Sequence, residues 1–131
     1  MLIAMVEDLR VIIVKLADRL HNMQTLDHHP DPKKRERIAL ETLNIYAPIA
    51  DRLGIFRMKE MLETECFRVL HPEAYMSITT ELESMREEQE YFVTEAKAII
   101  RKMIPESVPI IDISYRIKAP YSIYKKLQRK E

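Results

Sequence analysis

Three polar side chains in the first part of the chain have a spacing that could serve chemistry. Asp18, Asn22 and Thr25 are four and three residues apart, so they share one helical face, with Lys15 nearby. A carboxylate on a helix that is buried all round must be paired or must bind a metal ion. One carboxylate is a weak signal, because metal catalysis usually needs three or more ligands, and a solvated polar face explains the same spacing.

A second candidate group is basic and lies near the other end of the chain. Six basic residues and no acidic residue fall between 116 and 130, although the whole chain is neutral, with 21 basic and 21 acidic residues. Arg116 and Lys118 share one face of a predicted strand, and Ser122 and Lys126 are one turn apart on the helix that follows. Cations beside a helix N-terminus suit a polyphosphate. The segment is not a Walker loop, because it lacks glycine, and a solvated basic face is the alternative.

The first group needs a helix to position it. Apolar residues at three- and four-residue steps predict a helix over residues 2–26. Val11 and Val14 lie on the side opposite the main apolar stripe, so the middle of this helix is apolar nearly all round. That pattern predicts burial on both faces.

Three further helices are predicted over residues 31–106. The first begins at Pro32 with Asp31 as its N-cap, runs to about Leu53 with a kink at Pro48, and stops at Gly54. The second covers roughly 56–70 and the third runs unbroken from about 73 to 104. Helices linked by such short turns can pack as a small bundle.

The second group is predicted to lie on a strand and a helix. Ile111, Ile113, Tyr115 and Ile117 alternate with polar residues, which predicts a half-buried strand with these four facing inward. A helix then runs from Pro120 through residue 130. A single strand followed by one helix is not a stable unit, so we expect a second domain that continues beyond this chain. The first predicted helix also needs neighbours to cover its apolar surface. We therefore expect a longer protein to continue beyond both ends of this chain.

The remaining composition indicates an ordinary cytoplasmic protein. Cys66 is the only cysteine, which excludes an internal disulfide and favours a buried thiol in a reducing compartment. We see neither a signal peptide nor an apolar run long enough to cross a membrane. His28 and His29 are expected on the surface, and His21 in packing or hydrogen bonding. Core positions are expected for the following side chains: Tyr46, Met61, Phe67 and Tyr75.

Longer sequence motifs add to the evidence from residue spacing. VIIVKLADRLHNMQTL closely resembles the last motif of the hydrolase domain in the RelA/SpoT family of guanosine tetra- and pentaphosphate enzymes, an all-helical domain of the HD superfamily. The resemblance implies that Asp18 is the final carboxylate ligand of a catalytic manganese ion. It also implies that Asn22 and Thr25 contact the bound guanosine nucleotide. The family's other metal ligands, a histidine and a His-Asp doublet, lie upstream of this motif.

The likeness continues in family order along the chain. ALETLNIYAPIADRLGI and CFRVLHPEAY are typical of the helical connector, and YRIKAPYSIYKK resembles the opening motif of the synthetase domain. It implies that Arg116, Lys118, Ser122 and Lys126 hold the ATP that donates pyrophosphate to the 3′-hydroxyl of GDP or GTP. The family's glycine is Tyr115 here, and the acidic magnesium ligands of the synthetase lie downstream.

These observations predict a mainly α chain in three parts. Residues 1–30 end a helical HD hydrolase domain, residues 31–106 form a three-helix connector, and residues 107–131 begin an α/β synthetase domain. The resemblance implies a bifunctional parent that uses manganese to hydrolyse the alarmone and magnesium with ATP to make it, while the isolated piece is inactive. Its partners are ATP and guanine nucleotides, with ribosome association only through parts absent here, no membrane and no nucleic-acid signal in this segment. The alternative function is a non-catalytic helical module for interaction or regulation.

Overall fold

A computed structural model describes residues 8–129. Seven α-helices account for most of that range, as the predicted mainly helical class requires. They are α1 (Leu9–Gln24), α2 (Pro32–Glu41), α3 (Ala47–Arg52), α4 (Phe56–Leu70), α5 (Pro72–Ser84), α6 (Arg86–Met103) and α7 (Pro120–Gln128). A short 3-10 turn (Leu26–His28) follows α1, and a π-helical segment (Thr42–Tyr46) joins α2 to α3.

The helix starts and stops follow local chemistry. Asp31 caps α2 as predicted, its carboxylate accepting hydrogen bonds from the backbone N–H groups of Lys33 and Lys34, with Pro32 in the first turn. Gly54 ends α3 with φ of 72°, a left-handed conformation that glycine adopts without a steric penalty. The Ile55 N–H then donates to the Ala50 carbonyl at 3.0 Å, closing the turn.

A π-helical segment stands just before the predicted kink at Pro48. The Ala47 N–H donates to the Thr42 carbonyl, five residues back. Pro48 has no N–H, and its ring would crowd the carbonyl of Asn44, four residues earlier in a regular helix. A widened turn in front of the proline accommodates it, so the helical run continues through residue 52 without an interruption.

Helix α4 is the centre of the packing. It lies against α1, α2, α3 and α5 and also contacts α7. One core cluster joins Leu16 and Leu20 of α1 to Tyr46 and Leu62, and a second holds Met23 with Cys66. Because α1 shares these clusters with the following helices, residues 8–70 form one continuous packed body. The three predicted domain limits stay predictions.

Four predictions about the elements were wrong. The expected long helix is broken at Met85, where the Ser84 hydroxyl donates to the Glu81 carbonyl and competes with the regular ladder. Helix α1 is buried on one face only, since Val14 is 66% exposed, and Met61 is exposed rather than in the core. Residues 2–7 of the predicted first helix lie outside the described residues.

The predicted strand is the fourth difference. Within residues 8–129 no segment pairs as a β-strand, and the stretch from 105 to 119 is irregular or extended. Ile111 is 99% exposed, and Tyr115, expected to face inward, is also exposed, with the Lys97 Nζ 5.3 Å from its ring centroid. A segment forms a β-strand only when a neighbouring strand pairs with its backbone N–H and C=O groups. The described residues supply no such neighbour. The assignment of 107–131 to an α/β domain therefore stays a prediction.

Candidate functional site

Helix α1 places the first group of candidates on its solvent side. Leu16, Leu20 and Met23 turn into the core, and the polar face carrying Asp18, Asn22 and Thr25 is exposed on the other side. The Asn22 amide donates to Asp18 Oδ2 at 3.4 Å, and the helix ends at Thr25. One helix therefore brings all three predicted residues together, in the order the spacing required.

A cavity of about 570 Å³ opens beside this face. Asn22 and Thr25 line it, whereas Asp18 lies outside its wall. Lys34 and Glu41 of α2 add a cation and a carboxylate. A volume in this range is typical of a small-molecule site. The cavity is therefore large enough for a small molecule to contact Asn22 and Thr25, whose nucleotide contact stays a prediction.

Arg19 also lines this cavity, and it was not predicted from the sequence. Its guanidinium donates to Glu41 Oε1 at 3.2 Å and to the Tyr46 hydroxyl at 2.9 Å, and lies 4.1 Å from the centre of the Tyr46 ring. These contacts tie α1 to α2 and to the π-helical segment beside the cavity. The available signal was helical spacing, because Arg19 is three residues before Asn22 on the same face.

The chemistry of this face fits a divalent metal ion only in part. Asp18 offers a carboxylate oxygen, which suits a divalent cation. Across residues 8–129, however, no three histidine, cysteine, aspartate or glutamate side chains are grouped closely enough to hold an ion. His28 is exposed as expected, and His29 uses Nδ1 to accept a hydrogen bond from the Asp31 backbone at 3.2 Å. Asp18 therefore offers one oxygen ligand, and residues 8–129 do not complete a metal site around it.

The second group of candidates is divided between a cavity and open surface. Arg116 and Ser122 line a small cavity of about 130 Å³ at the start of α7. Lys118 and Lys126 are exposed and lie outside its lining. Within the described chain, the structure thus brings two of the four predicted ATP-binding residues into one cavity.

The opposite wall of this small cavity belongs to α4. Lys59 and Glu63 of α4 face Lys125 of α7 across it, and none of the three was singled out from the sequence. Glu63 Oε1 accepts from Lys125 Nζ at 3.3 Å, and Asp51, at 2.8 Å from Lys59, raises the pKa of that lysine. The spacing could have found Lys125, which is three residues after Ser122 on the same helical face.

An aromatic cluster fastens α7 to α4. The Phe67 ring lies 4.8 Å from the ring of Tyr124 and 5.7 Å from that of Tyr121, centre to centre. Partial burial, and then the charge of Glu63, raise the pKa of Tyr121 above its ordinary value. The buried Phe67 thus confirms its predicted core position, and it anchors the helix that carries Ser122.

On the other side of α4, Arg68 makes ion pairs with Asp27, in the 3-10 turn that follows α1, and with Glu65. Helix α4 therefore contacts both the turn that follows α1 and helix α7.

None of the helices described between residues 8 and 129 combines the length and apolar character needed to cross a membrane.

Known proteins align with nearly the whole chain. The HD domain family profile matches residues 1–56. The chain is 45% identical to a GTP pyrophosphokinase of Myxococcus xanthus, over 98% of this chain and 17% of that protein. It is 41% identical to a guanosine-3′,5′-bis(diphosphate) 3′-pyrophosphohydrolase of Borreliella burgdorferi, over 98% of this chain and 19% of that protein. A GTP pyrophosphokinase of Brucella ovis is 38% identical over 99% of this chain and 17% of its own length. The chain thus spans less than a fifth of these curated relatives.

Proposed function

We propose that this chain, which belongs to the RelA/SpoT family of guanosine polyphosphate enzymes, acts within a longer protein that both makes and hydrolyses guanosine 3′-pyrophosphates. The observation that carries the proposal is that relatives named for each of the two reactions align with nearly all of the chain. The two candidate groups lie at opposite ends of that alignment, so one segment would contribute to both sites.

For hydrolysis, the proposed role of α1 is to hold substrate and metal ion on one polar face. The HD domain family implies a divalent metal ion, and we propose manganese. Such an ion, when bound, lowers the pKa of a water molecule and polarises phosphoryl oxygens. Asp18 would supply one of its oxygen ligands. Asn22 and Thr25 would orient the guanosine nucleotide, with Arg19 keeping α1 fixed against α2.

For synthesis, the proposed role of the basic junction (Arg116, Lys118, Ser122 and Lys126) is to hold ATP. Pyrophosphate transfer to the 3′-hydroxyl of GDP or GTP depends mainly on positioning and on cations held where charge develops. Arg116 and Ser122 share a cavity, and the exposed Lys118 and Lys126 would add two further cations. Magnesium would be held by residues outside this chain. Nucleotide substrates and the lone buried thiol of Cys66 both fit a cytoplasmic protein.

The test is to assay both reactions on the longer protein and on this chain alone. We expect the longer protein to interconvert GDP and guanosine tetraphosphate in both directions, and the isolated chain to do neither. Nucleotide chromatography after long incubation measures both. Clear turnover by the isolated chain would overthrow the assignment of these residues to shared, incomplete sites.

A regulatory module is the second candidate function, and the position of α4 favours it. This helix contacts the element of each candidate site, so it could transmit a conformational change between them without chemistry of its own. Manganese titration of the longer protein separates the two functions. Binding that Asp18→Asn weakens supports the hydrolase role, whereas no manganese binding supports the module.

A further inference from the structure

The ion pair between α4 and α7 lies at the edge of the small cavity beside Arg116. Glu63 is nearly buried, with 11% of its side chain exposed, while Lys125 is 41% exposed. A carboxylate with so little access to water needs a cation or a hydrogen-bond donor, and Lys125 Nζ supplies both at 3.3 Å. The same Nζ lies 4.5 Å from the centre of the Tyr121 ring. The Lys125 ammonium group is thus held in place rather than free in solvent.

The cavity has the size of a phosphate group rather than of a nucleotide. Its volume of about 130 Å³ is below the roughly 300–1,000 Å³ of a typical ligand site. Arg116, Ser122 and Lys125 reach it from the junction, while Lys59, Glu60 and Glu63 reach it from α4. A phosphate placed there would meet one arginine and two lysines, of which Lys59 is already paired with Asp51, but also two carboxylates that repel it.

We propose that Lys125 is a further phosphate-binding residue of the ATP site, and that Glu63 competes with the nucleotide for its ammonium group. The inference rests on the proposed synthetase function and adds to it a residue and its competitor. An ammonium group forms strong charge-assisted hydrogen bonds with either a carboxylate or a phosphate. A phosphate that takes Lys125 therefore weakens the α4–α7 contact, and a tighter α4–α7 contact weakens ATP binding.

The experiment measures binding of α,β-methylene-ATP to the longer protein by calorimetry. This analogue resists cleavage between its α and β phosphates, the bond that pyrophosphate transfer breaks. We expect Lys125→Met to weaken binding about tenfold or more, since a hydrogen bond to a charged group is lost. We expect Glu63→Gln to tighten binding severalfold, because the amide removes the negative charge and keeps the shape. Lys102→Met, an exposed lysine of α6, is the matched control and should bind as the parent does.

Arg116→Ala separates failure of this inference from failure of the proposed function. If Arg116→Ala loses binding while Lys125→Met stays within twofold of the parent, Lys125 is not a phosphate ligand. If Glu63→Gln weakens binding, Glu63 positions Lys125 instead of competing for it, and the competition is overturned. If none of these variants changes affinity, the basic junction does not hold ATP at all.

A second measurement keeps the proposal testable even where a variant fails to fold. The parental protein is treated with an amine-acetylating reagent with and without α,β-methylene-ATP, and acetylation of each lysine is read by mass spectrometry. We expect the nucleotide to protect Lys125 and to leave Lys102 unchanged. Equal acetylation of Lys125 in both conditions contradicts the proposal.

Discussion

The two candidate sites differ in what holds their residues in place. Asp18, Asn22 and Thr25 stand on one continuous helix whose other face carries Leu16 and Leu20 into the main core. The basic junction instead follows a stretch without regular secondary structure, in which Ile111 is almost wholly exposed, and α7 holds it against α4 and α5. The arrangement of the first site therefore follows from one packed helix, whereas the stretch that carries Arg116 has no strand partner within residues 8–129.

The largest expected effect tests whether the Asp18 face is a site or only a solvated surface. In the longer protein, Asp18→Asn should reduce hydrolysis by at least about a hundredfold and leave synthesis near normal, because it removes a metal-binding charge without changing shape. Hydrolysis is followed as pyrophosphate release from guanosine tetraphosphate. Gln24→Ala, another exposed residue of α1, should leave both reactions unchanged.

Because Asp18 is exposed, its loss should cost the fold little. Loss of both reactions together in Asp18→Asn would mean that the residue holds the structure rather than a metal ion. Parental hydrolysis in Asp18→Asn would mean that this polar face is merely solvated.

The second prediction applies to the basic junction. Arg116→Ala and Lys126→Ala should each lower pyrophosphate transfer by about a hundredfold to a thousandfold, the effect of losing about 2.7–4 kcal/mol of charge stabilisation. Hydrolysis on the same preparations should stay near normal. Arg116→Lys should also be impaired, since a point charge cannot copy a bidentate guanidinium. The assay is transfer from ATP at saturating GDP.

Parental transfer rates in both alanine variants would assign the cluster to a solvated basic face. That result would also sharpen the contrast with α1, because only the site built on the packed helix would then carry chemistry.

The third prediction tests whether α4 is the centre of the core, using two neighbouring residues of that helix. Leu62 is fully buried and Met61 is exposed. Leu62→Ala should lower the free energy of unfolding by about 2–5 kcal/mol through lost burial and an unfilled cavity. Met61→Ala should change it by no more than about 0.5 kcal/mol. Urea unfolding of the chain, followed by far-ultraviolet circular dichroism, measures both. Equal effects would mean that α4 is not the centre of the core.

The smallest expected effect concerns Cys66, in the core under α1 and α2. Burial raises the pKa of its thiol to about 12, from a value of 9.0 in the unfolded chain. The folded state thus keeps a proton that the unfolded state loses, so this contribution is complete below pH 9 and is lost as the pH rises through about 12. Between about pH 8 and about pH 10.5, the parent should lose more stability than Cys66→Ala does. Parallel losses would show that the thiol is not buried in solution.

The sequence was sufficient where structure follows from neighbouring residues. Asp31 begins α2 and Gly54 ends α3 as predicted, because capping and left-handed backbone are properties of a few adjacent residues. The face shared by Asp18, Asn22 and Thr25 follows from helical spacing in the same way. The Arg19 contact with Tyr46 and the Glu63 contact with Lys125 could not be predicted, since each joins residues brought together only by packing. Alternation around Ile111 indicated strand potential, but pairing requires a neighbour that the pattern does not specify.

The aromatic contact between α4 and α7 has an optical consequence. The chain contains no tryptophan and six tyrosines, so its intrinsic ultraviolet fluorescence comes from tyrosine alone. Two of those rings, Tyr121 and Tyr124, lie 6.4 Å apart against Phe67, and Tyr75 meets the same Phe67 edge-on. A third of the emitting groups, Tyr121 and Tyr124, therefore report on the contact between α4 and α7, while Tyr75 belongs to α5. Any movement of α7 away from α4 becomes visible as a change in emission, without an attached dye.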